Sequence, residues 1–105
     1  MQTTYQTRVN VPQVADLETA VRLYYSKNEL APADIRAIFG CSTSTARLLR
    51  IRGREQMQID GVPTWNPSYV NTVSAFKSWG LDIEKIERGL KVLRRMKLLP
   101  EPEGG

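Results

Sequence analysis

The chain of 105 residues carries a net charge of +4 and is 41% apolar and 25% charged, which is an ordinary balance for one small globular domain. No apolar run approaches the roughly 20 residues that cross a bilayer, and the first residues lack the apolar segment of a secretory signal, so we expect a cytoplasmic protein without a membrane partner. Histidine is absent and Cys41 is the only cysteine, which leaves no zinc site, and we predict no cofactor.

The two ends of the chain are polar and aperiodic, and we predict that residues 1–11 and 100–105 are flexible flanks of a single domain covering residues 1–105. Pro12 suits the first turn of a helix, where its missing N–H is not needed. From Gln13 to about Lys27, apolar residues recur at spacings of three and four. This pattern predicts an amphipathic helix, with its apolar face formed by Val14, Leu17, Val21 and Tyr24.

The segment from Leu30 to Met57 predicts a short helix, a glycine turn and a longer basic helix. Pro32 fits the first position of the short helix, and Gly40 ends it in a left-handed conformation. Ser42 is a good N-cap for the next helix, although Gly53 argues against an uninterrupted helix beyond it. The basic character comes from four arginines with no acid among them, namely Arg47, Arg50, Arg52 and Arg54.

Residues 58–66 break the helical pattern and predict a wing-like hairpin or, preferably, a plain loop anchored by Trp65. Asn66 and Pro67 then suit the start of a helix that Gly80 ends, and Asp82 caps a last helix. The predicted fold is therefore all-α with about five helices: a three-helix core at 12–57 and a C-terminal helical hairpin at 66–99. Three apolar residues of the hairpin are candidates for an interface between two copies, namely Trp79, Val92 and Met96. The alternative, which we favour, is that they pack back onto the core.

The residues from Leu23 to Arg54 resemble the helix-turn-helix of bacterial transcription regulators, sigma-factor C-terminal domains and resolvase-type recombinases. The similarity lies in LYYSKNEL followed by ADIRAIFGCSTSTARLLR, with Gly40 at the tight turn and Cys41 in the small apolar position after it. Two residues depart from the usual pattern. Arg36 stands where a small residue normally packs between the two helices, and Ala46 replaces a larger aliphatic residue, which would make room for the stem of Arg36.

This resemblance implies that the helix beginning at Thr43 enters the major groove of double-stranded DNA with its N-terminal residues facing the bases. It implies base reading by Thr43, Ser44 and Arg47, since arginine can bind guanine through two hydrogen bonds. It also implies contacts to the DNA backbone by a second set, namely Tyr25, Lys27, Ser42, Arg50 and Arg54. The expected function is sequence-specific DNA binding, as a small transcription regulator or a mobile-element or phage accessory protein.

The alternative function is a protein–protein interaction module, or a phage DNA-packaging assembly module, built on the same helices. A homodimer through residues 67–99 is compatible with either function. We expect no small-molecule ligand, because the chain has no room for a ligand-binding domain of normal size after the basic helix. We predict no enzymatic activity, since the eleven carboxylates show no paired-acid spacing and no nucleophile motif stands out.

Overall fold

A computed structural model describes residues 10–98. The predicted all-α class with about five helices is confirmed, and a two-stranded antiparallel sheet of two residues per strand is added to it. The predicted flexible ends lie outside the described residues, except for residues 10 and 11. The elements in chain order are α1 (Leu17–Ser26), β1 (Glu29–Leu30), α2 (Pro32–Phe39), α3 (Thr43–Asp60), β2 (Val70–Asn71), α4 (Thr72–Ser78) and α5 (Ile83–Arg95).

The first helix begins later than predicted, because Asp16 caps it. The Asp16 carboxylate accepts a hydrogen bond from the Thr19 N–H at 3.0 Å. The N–H groups of Ala15 and Asp16 both donate to the Ile38 carbonyl, at 2.9 and 3.2 Å. The segment before α1 is therefore hydrogen-bonded to the end of α2 instead of forming a helical turn, and the prediction of a helix from residue 13 was wrong for its first four residues.

The turn between α2 and α3 has the predicted form. Gly40 is left-handed at φ +63°, and a Cβ at this position would lie 3.1 Å from the Cβ of Ala15. Ser42 caps α3 by accepting a hydrogen bond from the Thr45 N–H at 3.2 Å. Because glycine adopts this backbone conformation without steric cost, Gly40 sets the direction in which α3 leaves α2.

Helix α3 runs without a break through Gly53 to Asp60. Gly53 is buried, and a Cβ there would lie 2.7 Å from the Val70 side chain and 3.3 Å from Ala75. The glycine therefore does not interrupt the helix. It lets β2 and α4 approach the backbone of α3 closely.

Helix α4 begins at Thr72 rather than at Asn66 and Pro67, so the predicted helix start was wrong. Asn66 caps only a turn, in which its side chain accepts a hydrogen bond from the Ser68 N–H at 2.9 Å. Val70 and Asn71 then pair with Leu30 and Glu29. The backbone groups of this segment are thus bonded to β1, and Asn71 supplies the cap of α4 by accepting from the Ser74 N–H at 3.0 Å.

The two tryptophans have opposite environments: Trp79 packs back onto the core, as favoured from the sequence, whereas Trp65 differs from the sequence expectation. Trp79 is only 4% exposed, packs edge-to-face on Phe39 with ring centroids 5.1 Å apart, and donates its indole N–H to the Leu49 carbonyl at 2.9 Å. It packs back onto the core, so it is not available to a dimer interface. Trp65 is 81% exposed, so the expectation that it anchors its loop was wrong.

The two C-terminal helices follow each other but pack on different neighbours. Helix α4 lies on α3, whereas α5 lies on α1 and buries Ile86 and Leu90. Asp82 caps α5 as predicted, accepting from the Glu84 N–H at 2.9 Å. Val92 and Met96 remain 44% and 62% exposed. Among the described residues, no helix is both long and apolar enough to span a membrane.

The contact at Gly53 predicts the effect of adding one methyl group. Gly53→Ala should lower the free energy of unfolding by about 1–2 kcal/mol, because the overpacking cost of about 1–3 kcal/mol exceeds the gain in helix propensity. Gly89→Ala is the matched control, since a Cβ at this helical glycine meets nothing within 4 Å, and it should stabilise by about 0.5–1 kcal/mol. Urea unfolding followed by circular dichroism measures both, and equal effects would contradict a close contact at Gly53.

Candidate nucleic-acid interface

The N-terminal half of α3 presents a polar face to solvent. Thr43, Ser44 and Arg47 are exposed, whereas Ala46 and Leu49 on the opposite side are buried. No side chain or backbone acceptor within residues 10–98 pairs with Arg47. The three residues predicted to read bases therefore share one accessible surface, and the sequence pattern of α3 accounts for this because residues three and four apart lie on the same side of a helix.

Leu48 belongs to the same surface, although it was not among the predicted site residues. Its side chain is 39% exposed, and it follows Ser44 by one helical turn. An exposed leucine beside hydroxyl groups and a guanidinium can make an apolar contact of the kind formed with a thymine methyl group. The burial of Ala46 and Leu49 on the opposite side of α3 accounts for this exposure.

A groove between α2 and α3 extends the polar face and brings in Arg36. Arg36 is exposed rather than enclosed between the two helices, and it borders the groove that Ala46 also lines. Because Ile35, Ile38 and Phe39 are the buried residues of α2, helical periodicity places Arg36 on the outer side of that helix. In the sequence, Arg36 only departs from the helix-turn-helix pattern, and it was not among the predicted site residues. The groove is lined by Pro32, Arg36, Thr43, Ala46, Arg47, Arg50 and Ser68.

The arginines in the C-terminal half of α3 donate hydrogen bonds within the protein. Arg50 donates from Nη1 to the Pro67 carbonyl at 2.6 Å. Arg54 donates from Nη1 to the carbonyls of Tyr69 at 2.9 Å and Asn66 at 3.3 Å. Arg50 and Arg54 therefore bind the loop of residues 62–69, which we call the Trp65 loop, to the side of α3.

Arg52 points to the other side of α3, where its Nε donates to the Ser78 carbonyl at 2.7 Å. Of the four arginines between residues 46 and 54, three thus hold other parts of the chain in place, and Arg47 is exposed. The sequence could not distinguish these roles, because the partners are backbone carbonyls distant in the chain.

The other residues predicted to contact the DNA backbone do not form one cluster. Lys27 makes an ion pair with Asp34 at 2.9 Å, near the start of α2. The Tyr25 hydroxyl donates to the Glu87 carboxylate of α5, and this hydrogen bond raises the pKa of Tyr25. Ser42 is exposed at the start of α3, where its hydroxyl oxygen serves as the cap. Tyr25 thus faces α5 and does not line the groove between α2 and α3.

The side chains of this surface can bind hydrogen-bond acceptors and anions. The surface combines the Arg36 and Arg47 guanidinium groups with the Thr43 and Ser44 hydroxyls, and the first turn of α3 has no acidic residue. In the part of the chain that the structure describes, no cluster of three metal-ligating side chains occurs. Cys41 packs against the core, and its burial raises the pKa of the thiol, which keeps it protonated at neutral pH.

Comparison of the chain with protein-family models, with curated proteins and with solved structures finds no match. The function of this surface must therefore be inferred from its own residues and geometry.

The attachment of the Trp65 loop predicts the effect of losing one arginine. Arg54→Ala should lower the free energy of unfolding by about 1 kcal/mol, because it removes charge-assisted hydrogen bonds from two partly solvated carbonyls. Arg95→Ala is the control, because Arg95 is exposed at the end of α5 and should change stability by less than about 0.5 kcal/mol. Urea unfolding measures both variants. Equal stability of Arg54→Ala and the wild type would contradict an energetic role for this attachment.

Proposed function

We propose that the protein binds double-stranded DNA sequence-specifically, with the N-terminal half of α3 in the major groove. The observation that supports this most strongly is the accessible surface formed by Thr43, Ser44 and Arg47, next to Arg36 on α2. These side chains combine hydrogen-bonding groups with positive charge at the N-terminal end of a helix. A small transcription regulator or a mobile-element or phage accessory protein is the corresponding biological role.

Arg47 is the residue to which we assign the main base contact. It lies one turn into α3, where the resemblance to helix-turn-helix proteins implies base reading, and its guanidinium has no partner among residues 10–98. A guanidinium that is not bonded within the protein can approach the N7 and O6 acceptors of guanine through two hydrogen bonds. Thr43 and Ser44 precede it on the same face and can bond to neighbouring base edges or phosphates.

Arg36 is assigned to the phosphate backbone. It lies on α2, beside the helix that would enter the groove, and a cation at this position neutralises a phosphate without reading a base. Arg50 and Arg54 each use Nη1 for the Trp65 loop, and the remaining N–H groups of each guanidinium stay available for a phosphate. Lys27 and Ser42 remain proposed backbone contacts at the two ends of the α2 region, whereas the bond between Tyr25 and Glu87 argues for placing Tyr25 outside the interface.

A protein-binding or assembly module is the second candidate, and a specific observation favours it. Val92 in the last turn of α5, and Met96 and Leu98 just after it, are 44%, 62% and 63% exposed. Exposed apolar side chains of this kind suit a protein partner or a second copy of the chain. Salt dependence separates the two candidates. Binding to phosphates releases counterions and weakens steeply as salt rises, whereas an apolar interface does not.

The assignment of Arg47 to a base predicts a change in both affinity and sequence preference. A selection from random duplexes first identifies the preferred sequence. Arg47→Ala should then weaken binding to that sequence by about 1–3 kcal/mol and weaken binding to unrelated duplexes less, because a base contact is lost. Fluorescence anisotropy titrations with both duplexes measure the difference. Arg88→Ala is the control, since Arg88 is exposed on α5 and should leave both affinities unchanged.

The assignment of Arg36 to a phosphate predicts a different pattern. Arg36→Ala should weaken all duplexes by a similar factor and should reduce the slope of log affinity against log salt by about one unit. Titrations at several salt concentrations measure the slope. Wild-type affinity that hardly changes between low and physiological salt would refute the proposed function, and equal, sequence-independent losses in Arg47→Ala and Arg36→Ala would remove the base-reading role of Arg47.

A further inference from the structure

We propose that the Trp65 loop is a second DNA-contacting element, in which the Trp65 indole packs against the sugar–phosphate backbone beside the groove that α3 enters. This inference rests on the proposed function and extends it to a residue and a kind of contact outside the α2–α3 surface. It depends on three observations, which concern the exposure of Trp65, the attachment of its loop and the side of α3 on which the loop lies.

Trp65 is the most exposed of the large apolar side chains that the structure describes, at 81%. The other tryptophan, Trp79, is 4% exposed and has its indole N–H bonded within the core. Leaving an indole in water forgoes the favourable burial of one of the largest apolar side chains. The position is therefore suited to a contact that forms when a partner binds.

The loop that carries Trp65 is held at several points. Arg50 and Arg54 bind the carbonyls of Asn66, Pro67 and Tyr69. The Tyr69 N–H donates to the Asn66 carbonyl at 3.1 Å. Pro63 and Pro67 restrict the backbone further. A side chain on such a segment loses less conformational entropy on binding than one on a free loop, so its contact contributes more of its interaction energy to affinity.

The loop lies on the same side of α3 as the proposed DNA-reading residues. Ser68 lines the groove that contains Thr43 and Arg47. Further along α3, Thr64 and Pro67 line an adjoining groove whose charged residues are Arg50, Arg54 and Glu55. A helix placed in the major groove has a phosphate backbone on either side of it, so an element lying alongside the helix meets one of those backbones.

The chemistry of the loop agrees with this placement. Residues 61–69 contain no carboxylate that would repel phosphates, and Asp60, which precedes them, is bonded to Lys77 and Ser74. An indole offers an apolar face to deoxyribose and an N–H to a phosphate oxygen. Since Trp65 carries no charge, its contact should add affinity without adding a counterion-release contribution.

Tryptophan fluorescence tests the inference directly, because the two tryptophans differ so much in exposure. Acrylamide, a neutral quencher, should quench Trp65 in the free protein, and a bound duplex should protect it. Trp65→Phe, in which Trp79 is the only tryptophan, should show no protection when tryptophan is excited selectively. In anisotropy titrations, Trp65→Ala should weaken all duplexes by about tenfold, by analogy with aromatic contacts to nucleic acids, with an unchanged salt slope, and Trp65→Phe should retain most of the affinity.

The possible outcomes separate this inference from the proposed function. Duplex binding that leaves Trp65 as accessible to acrylamide as before, with full affinity in Trp65→Ala, would overturn the inference and leave the proposed function intact. A loss of affinity accompanied by a lower salt slope would also overturn it, because the lost contact would be ionic. If no duplex binds at physiological salt, both fail. Circular dichroism spectra equal to that of the wild type verify that Trp65→Ala and Trp65→Phe are folded.

Discussion

The close approach of α4 and β2 to the backbone of α3 at Gly53 is the contact on which the rest of the structure depends. Without a side chain at Gly53, Val70 and Ala75 reach van der Waals distance of the helix, and Trp79 can place its indole N–H on the Leu49 carbonyl. The position of Val70 in turn fixes β2, which pairs with β1 and so joins the C-terminal part of the chain to the connection between α1 and α2. One long helix thus organises both halves of the protein.

This arrangement divides α3 into two parts with different exposure. Its C-terminal half is covered by β2, by α4 and by the Trp65 loop, and Arg50, Arg52 and Arg54 bond to backbone carbonyls of these segments. Its N-terminal half has α2 on one side and solvent on the other. The proposed function assigns base reading to the same half, so the part of α3 left accessible by packing is also the part that the proposed function requires.

The sequence predicted the features that depend on local chemistry. Gly40, Ser42 and Asp82 mark helix ends through backbone conformation and side-chain caps, which act over three or four residues, and all three were placed correctly. The errors arose where distant backbone groups compete for the same N–H or carbonyl. Asn66 and Pro67 have the chemistry of a helix start, but residues 70 and 71 pair with β1, which no local pattern records. Similarly, the four arginines of α3 look alike in sequence, and only tertiary contacts separate Arg47 from the others.

The distribution of charge bears on how such a protein could reach useful affinity for DNA. Each neutralised phosphate contributes roughly 0.9 to the salt slope. The proposed surface has two guanidinium groups without a bonded partner among residues 10–98, those of Arg36 and Arg47, whereas Arg50, Arg54 and Lys27 already bond within the protein and would contribute less to binding phosphates. Ionic attraction alone would then give one copy of the chain only a low affinity for DNA. Two kinds of surface can supply the remainder: an uncharged contact from the Trp65 loop, or a second copy joined through the exposed Val92 and Met96. The first adds affinity within one protomer, whereas the second doubles the site and makes binding depend on protein concentration. Since the Trp65 loop is already held beside the surface proposed to read DNA, its proposed contribution would require no assembly before binding.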